Sequence, residues 1–275
     1  MNTLPLPTLV LVGERFTAFA VTEGVQTVNR FIASVRAGQH DVAGGMVIRA
    51  GQGIDGTDLS NVRDALTVRG LLGRFQLPSE SNTVPPTSVH KHREANVLIA
   101  DLHRAADNRY TARLRLADDN ELIVDHLTGT HIQGMVLIEA ARQMMLAVTE
   151  EFVRPAMPKR DWVYVMSTLD TRFERCVFPV GVDLELTFTP VPGRGAGRPS
   201  FDATVTISQA GVVAAVSRSE YRLFDRRALK RIEQQQAAAA IAAQAPPAAE
   251  MAPEHHSEPE TFAVTASPVA QLADA

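Results

Sequence analysis

The residues with the types needed for chemistry gather in one short stretch, DHLTGTHIQGMVLIEAARQMM, residues 125–145. From 135 to 148 the chain is almost uniformly apolar, yet Glu139, Arg142 and Gln143 stand in the middle of the run. At i, i+3 and i+4 the three share one face of a helix. Removing a carboxylate and a guanidinium from water costs several kcal/mol each unless they are paired and hydrogen-bonded. Two readings follow. In one, the acid and the base simply neutralise each other; in the other, they are the polar spot of a site on a buried rod. Just upstream, His126 and His131 lie in a glycine-containing loop that leads onto the helix start at Gly134. Histidines, an acid, an arginine and a helix N-terminus together have the parts for general acid–base work on an anionic substrate.

The elements around this stretch must hold it. ANVLIADLHR and RYTARLRLA read as strands joined by a turn at Asp107-Asn108, and ELIVDH reads as a short strand. A helix over 135–151 follows, closed by Pro155 and Pro158. DWVYVMSTLDTRF, GVDLELTFTPV, SFDATVTISQ and GVVAAVSRSEYRLF then alternate apolar and polar residues, with Gly and Pro between them. One apolar helix with a mainly antiparallel sheet is an α+β layout, and a sheet curling round that helix would bury nearly all of it.

Ahead of this zone, residues 1–78 alternate in an α/β-like way. TLVLVGERFTAFAV reads as strand, EGVQTVNRFIASVRAG as helix ending at Gly38, and GGMVIRA as strand. TDLSNVRDALTVRGLLGRF reads as helix, with Thr57 as its N-cap. The intervening GQGIDG matches G-x-G-x-x-G at Gly51, Gly53 and Gly56. No strand with a terminal acid follows it, so it reads as a glycine-rich strand-to-helix turn rather than a pyrophosphate cradle. Residues 79–88, with a double proline, form a linker, and 89–226 form the central domain. The remainder, 227–275, is an Ala/Pro-rich tail read as mostly disordered, although its first part could form a frayed helix ending before Pro246. His255 and His256 in that tail lack further ligands, so no metal is expected.

Composition excludes several functions. Lys and Arg number 27 against 31 Asp and Glu, a formal charge of −4, and there is no basic field for nucleic acid. No apolar run approaches a membrane span of ~18 residues. The N-terminus lacks the basic start of a secretory signal, and Cys176 is the only cysteine, which suits a reducing compartment. A cytoplasmic protein is expected.

His126 to Gln143, HLTGTHIQGMVLIEAARQ, resembles the signature of the A-factor biosynthesis hotdog family. VHKHREANVLIADLHR (89–104) and LTFTPVPGRGAGRPSFDATVTISQAGVVAAV (186–216) are similar to its flanking strands, so the resemblance covers roughly 87–225. It implies a hotdog fold, an antiparallel sheet wrapped around a long central helix. It further implies an acyltransferase-like enzyme that joins a β-ketoacyl thioester, carried by coenzyme A or acyl carrier protein, to a phosphorylated triose in making a γ-butyrolactone signal. No other cofactor is implied. On that likeness Glu139, Arg142 and His126 would be catalytic, and Gln143, His131 and Gly134 would bind substrate. The chain departs from the usual pattern at Thr130 and Gln133, where the family has an acid and a proline, and at Asn96, where it has a Glu. It also has one Glu-x-x-Arg-Gln helix where typical members have two repeats.

Two alternatives stand beside this expectation. One is a hotdog dehydratase or thioesterase using His126 and Glu139. The other is a non-catalytic protein that binds an acyl ligand. A lone hotdog leaves an open sheet edge, so a homodimer is expected, with His126 of one chain meeting Glu139 of another.

Overall fold

Burial on both faces makes the first strand, β1 (Thr8–Val12), a continuous apolar run, TLVLV, as suits the centre of a parallel sheet. The computed structural model describes residues 6–40, 45–126, 129–191 and 199–244. β2 (Val25–Thr27), α1 (Val28–Arg36), β3 (Met46–Ala50), α2 (Gly56–Val68) and β4 (Phe75–Gln76) follow β1. The four strands lie in the order β2-β1-β3-β4, all parallel. Leu11, Phe31, Val35, Ile48, Val62 and Leu66 fill the space between sheet and helices. This zone is therefore α/β, and it is not a second hotdog.

Local chemistry moves two expected boundaries. The helix expected from Glu23 begins only at Val28, because Val25 and Thr27 pair with Val10 and Val12 of β1. Thr27 then serves as N-cap, accepting from Arg30 N at 3.4 Å. α2 is capped by Asp55 rather than Thr57. Asp55 and Asp58 exchange side-chain-to-backbone bonds of 2.9 and 3.2 Å, a capping box.

The central zone holds β5 (Ile99–Ala106), β6 (Arg109–Leu114), α3 (Glu121–Val124), α4 (Gly134–Val148), β7 (Trp162–Phe173), β8 (Asp183–Val191), β9 (Ser200–Gln209) and β10 (Val212–Asp225). Its sheet runs β5-β6-β8-β9-β10-β7 and is antiparallel throughout. α4 lies within the curl of this sheet, with Val136, Ala140, Met144, Leu146 and Val148 fully buried or nearly so. That is the hotdog fold.

ELIVDH, expected as strand, contains α3 instead. The Asn120 side chain accepts from Leu122 N at 2.9 Å and donates to Ala95 O at 2.8 Å, which starts a helical turn. The central helix, expected over 135–151, is α-helical to Val148 and then widens into a π-turn over Thr149–Val153. At this transition the Thr149 hydroxyl donates back to Met145 O at 2.8 Å, so it must accept from the Tyr221 hydroxyl at 2.6 Å.

The double-proline segment is not a free linker. Val84 N donates to Ile99 O at 3.1 Å and Asp101 N to Asn82 O at 2.8 Å, so residues 82–84 run along the outer edge of β5. The opposite edge strand, β7, pairs with β10 alone among the described residues. After β10, α5 (Arg226–Ala242) carries the start of what composition marked as tail. The chain divides into two compact units, Met1–Leu229 and Lys230–Ala275. The disorder expected over 245–275, and the pair His255 and His256, lie outside the described residues.

The glycine loop after β3 is what ties the parallel sheet to the hotdog. Gln52, 5% exposed, donates through Nε2 to Leu114 O (3.2 Å) and Val180 O (3.0 Å), and its Oε1 accepts from Leu116 N at 2.7 Å. Its own N–H donates to Pro179 O at 3.0 Å, and Gly53 N to Leu116 O at 2.7 Å. Gly51 is required because a Cβ there would lie 2.5 Å from Pro179 O, and Gly53 because its φ is +79°. Gln52→Leu keeps the volume but orphans Leu116 N–H and the Leu114 and Val180 carbonyls. It should cost about 2–4 kcal/mol in urea unfolding, since buried unmet groups cost ~1–3 kcal/mol each. A loss below about 0.5 kcal/mol, the scale of a neutral surface change, would contradict this account of the docking.

Candidate active site

α4 places Glu139, Arg142 and Gln143 on one face, and the tertiary structure supplies what they face. After the 3-10 turn Pro86–Val89 the chain reverses at His90, whose φ of 56° is left-handed, and Lys91 N donates to Pro86 O at 2.9 Å. The reversal turns Lys91 onto α4, where its Nζ lies 2.8 Å from Glu139 Oε1. Arg142 grips the same carboxylate with two parallel bonds, Nε to Oε2 at 2.8 Å and Nη2 to Oε1 at 2.9 Å. Gln143 Nε2 adds a bond to Oε1 at 3.0 Å.

Gln143 is fully buried and acts as the bracket of the arrangement. Its Oε1 accepts from Leu98 N at 2.8 Å, and its Nε2 also donates to Asn96 O at 2.8 Å. It thereby fixes the chain entering β5 against α4. Asn96 contributes its backbone here, while its side chain accepts from Glu121 N at 3.1 Å.

Burial pushes the Glu139 carboxyl up, but the bonds from Arg142, Lys91 and Gln143 outweigh that and hold it at about 2. A group held there stays ionised at neutral pH and is a feeble proton acceptor.

The histidines lie elsewhere. His126 and His131 line a cavity of about 110 Å³ with Arg15, Phe16, Ile123, Gly129, Ile132 and Gln133, and Glu139 is not among its walls. The structure therefore brings Glu139, Arg142 and Gln143 together and does not bring His126 or His131 to them within one chain. Gln133 caps α4 without a side-chain bond to it, its amide donating to Leu122 O instead. Gly134 opens the helix beneath the ring of Phe173, where a Cβ would lie 3.0 Å from Cζ.

Lys91 is the residue that sequence reasoning passed over. The only available signal was its charge inside VHKHRE, beside a proline turn, and nothing local says that the turn points it at α4. A second polar cluster was missed for the same reason. Glu150 accepts from Arg154 Nη1 at 2.6 and 2.8 Å and from the Tyr164 hydroxyl at 2.9 Å, with His90 Nε2 3.5 Å away. Burial, and then the adjacent Glu150 carboxylate, push the Tyr164 phenol far up, so it stays a donor.

The glycine loop offers no cradle for a dinucleotide. Gly51, Gln52 and Gly53 spend their N–H groups on Leu11, Pro179 and Leu116 carbonyls. Carboxylates of Asp55, Asp58 and Glu80 surround the α2 N-terminus, where a pyrophosphate would have to sit. The adjoining cleft of about 1080 Å³ is walled by further acids, including Glu14 and Asp118. Among the described residues no group of three or more His, Cys, Asp or Glu is placed to hold a metal ion, and no helix is long and apolar enough to cross a membrane.

A sheet curled round one helix, with a charged Glu-x-x-Arg-Gln face on that helix, defines a hotdog domain of a particular kind. The family model of the A-factor biosynthesis hotdog domain matches residues 76–225, more than half of the chain, and the chain belongs to that family. No curated protein matches it. Solved structures similar to it include a mutant thioesterase from Pseudomonas aeruginosa (12% identity, 46% of this chain and 81% of that one, TM-score 0.34). A thioesterase from Haemophilus influenzae is similar at 14% identity (46% and 78%, TM-score 0.33). The dehydratase heterocomplex ApeI:P from Xenorhabdus doucetiae is similar at 15% (51% and 91%, TM-score 0.36). Likenesses this distant say nothing about substrate.

The Glu139 environment fixes a pH dependence. Because its folded pKa lies below the ordinary 4.5, its stabilisation is fully present above about 4.5 and is lost as pH falls toward 2. Wild type should therefore lead Glu139→Gln in urea unfolding at pH 7, and the lead should shrink by up to about 3 kcal/mol by pH 2.5. A gap that stays constant over that range would show that the carboxylate is not so held.

Proposed function

We propose that this protein handles acyl thioesters, transferring a β-ketoacyl group from coenzyme A or acyl carrier protein to the hydroxyl of a phosphorylated triose. The observation that supports this reading is Arg142, in a chain of the A-factor family. Its guanidinium is fixed by Glu139 on an otherwise apolar helix and is still 30% exposed. A cation so placed serves a phosphate or a developing oxyanion. In the transfer, the acceptor oxygen forms an ester bond to the acyl carbon and the C–S bond breaks. The hydroxyl proton leaves with the thiol.

Glu139, kept ionised by donors that hold its pKa at about 2, orients the cations rather than taking that proton. His126 is the remaining candidate base, and a homodimer supplies it. β7 is a 12-residue strand with one edge open among the described residues, and Leu169 and Phe173 on it are exposed. Phe173, at its end, lies against Gly134 at the start of α4. Antiparallel pairing of two β7 strands would carry the histidine loop of one copy alongside α4 of the other.

Two measurements test these proposals. With a β-ketoacyl thioester and a triose phosphate, Arg142→Lys should stay folded yet lose about 100-fold in kcat/KM, because an ammonium cannot reproduce the fork. Full activity in that variant, or turnover of 3-hydroxyacyl thioesters instead, would favour a dehydratase or thioesterase. In the second, inactive Arg142→Lys and His126→Ala proteins are mixed. If the site spans two copies, the mixture regains about a quarter of wild-type activity, since half of the dimers are mixed and each of those has one sound site of two. No recovery from demonstrably mixed dimers would place the chemistry within one chain.

A further inference from the structure

The Glu139 carboxylate has about four lone-pair positions, and four donor contacts reach it: Lys91 Nζ, Arg142 Nε, Arg142 Nη2 and Gln143 Nε2, all at 2.8–3.0 Å. Three of these donors meet at Oε1, while Oε2 takes one bond, from Arg142 Nε. The cations keep more donors to spare. An ammonium has three N–H donors and a guanidinium five. Lys91 uses one on Glu139, and Arg142 uses Nε and one hydrogen of Nη2. Among the described residues Arg142 Nη1 makes no hydrogen bond, and Lys91 Nζ makes none besides its contact with Glu139. The two side chains are 27% and 30% exposed, and both reach the same carboxylate oxygen. Two cations thus converge on one carboxylate, with Glu121 a further acid within electrostatic reach of Lys91.

We propose that Lys91 and Arg142 together form a seat for a phosphomonoester dianion, with Glu139 as the strut that holds the two cations at a fixed spacing. Arg142 supplies a planar fork and Lys91 a compact point charge, two ways of meeting phosphate oxygens. The strut itself is anchored, because Gln143 binds Glu139 and the backbone of Asn96 and Leu98 at once. The Lys91 turn is anchored too, through Lys91 N on Pro86 O at 2.9 Å and His90 N on Thr87 O at 3.3 Å. A pair that merely neutralised Glu139 would need only one of these cations.

This seat deepens the acyl-transfer reading and rests on it for its natural ligand. The phosphate has two sources there, the acceptor or the 3′-phosphate of coenzyme A. Calorimetric binding without turnover separates them, using glycerol 3-phosphate against glycerol, and coenzyme A against dephospho-coenzyme A. Wild type should bind glycerol 3-phosphate, or coenzyme A in preference to its dephospho form, and the first pair to discriminate identifies the source. For that phosphate Lys91→Met should weaken binding about tenfold and Lys91→Arg should restore most of it, as loss and return of one charge-assisted contact require.

Lys91→Met leaves Glu139 with Arg142 and Gln143, so it should melt near wild type. Should it unfold, Lys91→Gln read with the same probe replaces it. Equal affinity in wild type and the neutral Lys91 variant, or no discrimination in either pair at tens of millimolar, would overturn the seat. Phosphate binding that depends on Lys91 in a protein with no transferase activity would leave the seat standing and remove the acyl-transfer reading. Transfer with an unchanged KM in Lys91→Met would do the reverse.

Discussion

A carboxylate set into an apolar helix is the constraint on which the rest of this site depends. α4 is wrapped by sheet on most of its surface, so Glu139 there is stable only if donors surround it. Arg142 and Gln143 come from the next turn of the same helix, and a further donor comes from outside it. Lys91 reaches it because the chain before β5 turns left-handed at His90 and folds back over α4. Gln143 then joins that returning chain to the helix through Asn96 and Leu98. Charge satisfaction, the path into the first strand of the hotdog and the exposure of the two cations are one arrangement.

The same logic of satisfied backbone groups explains how the parallel sheet sits on the hotdog. The loop after β3 has the glycine spacing of a nucleotide cradle, yet its N–H groups point into protein carbonyls. Its glycines admit Pro179, Gly13 and Asp118 to close range. Gln52 meets three backbone groups at the place where β6 ends and the chain enters β8, so the two layers share polar contacts as well as apolar ones. Glycine there serves close approach between two parts of one chain, which in a sequence looks the same as close approach to a phosphate.

Much of this was legible beforehand because it is local. The apolar run with Glu139, Arg142 and Gln143 at helical spacing announced both the central helix and its polar face. The alternating Val- and Thr-rich stretches announced the antiparallel strands, and the HLTGTHIQGMVLIEAARQ stretch announced the family. The failures were also local in origin. ELIVDH has strand composition, but Asn120 can bind both Leu122 N and Ala95 O, and that competition settled it as helix. Thr57 is a good cap by type, yet Asp55 and Asp58 form a reciprocal pair that a single residue cannot match.

Periodicity and residue type by themselves determined an α+β layout built on a charged central helix, because helix faces and strand alternation are set by neighbours along the chain, and the hotdog followed from the family resemblance. They also left Glu139 and Arg142 with two readings, ion pair or site, and could not choose. Only the tertiary structure decided that the acid is held by two cations and an amide, with N–H donors of both cations left over. That depends on Lys91, 48 positions away from Glu139 along the chain and 2.8 Å away in space. It likewise placed His126 on a separate cavity and closed the glycine loop against the hotdog sheet. Contacts between distant segments come from how layers pack, and no spacing within a single stretch records them.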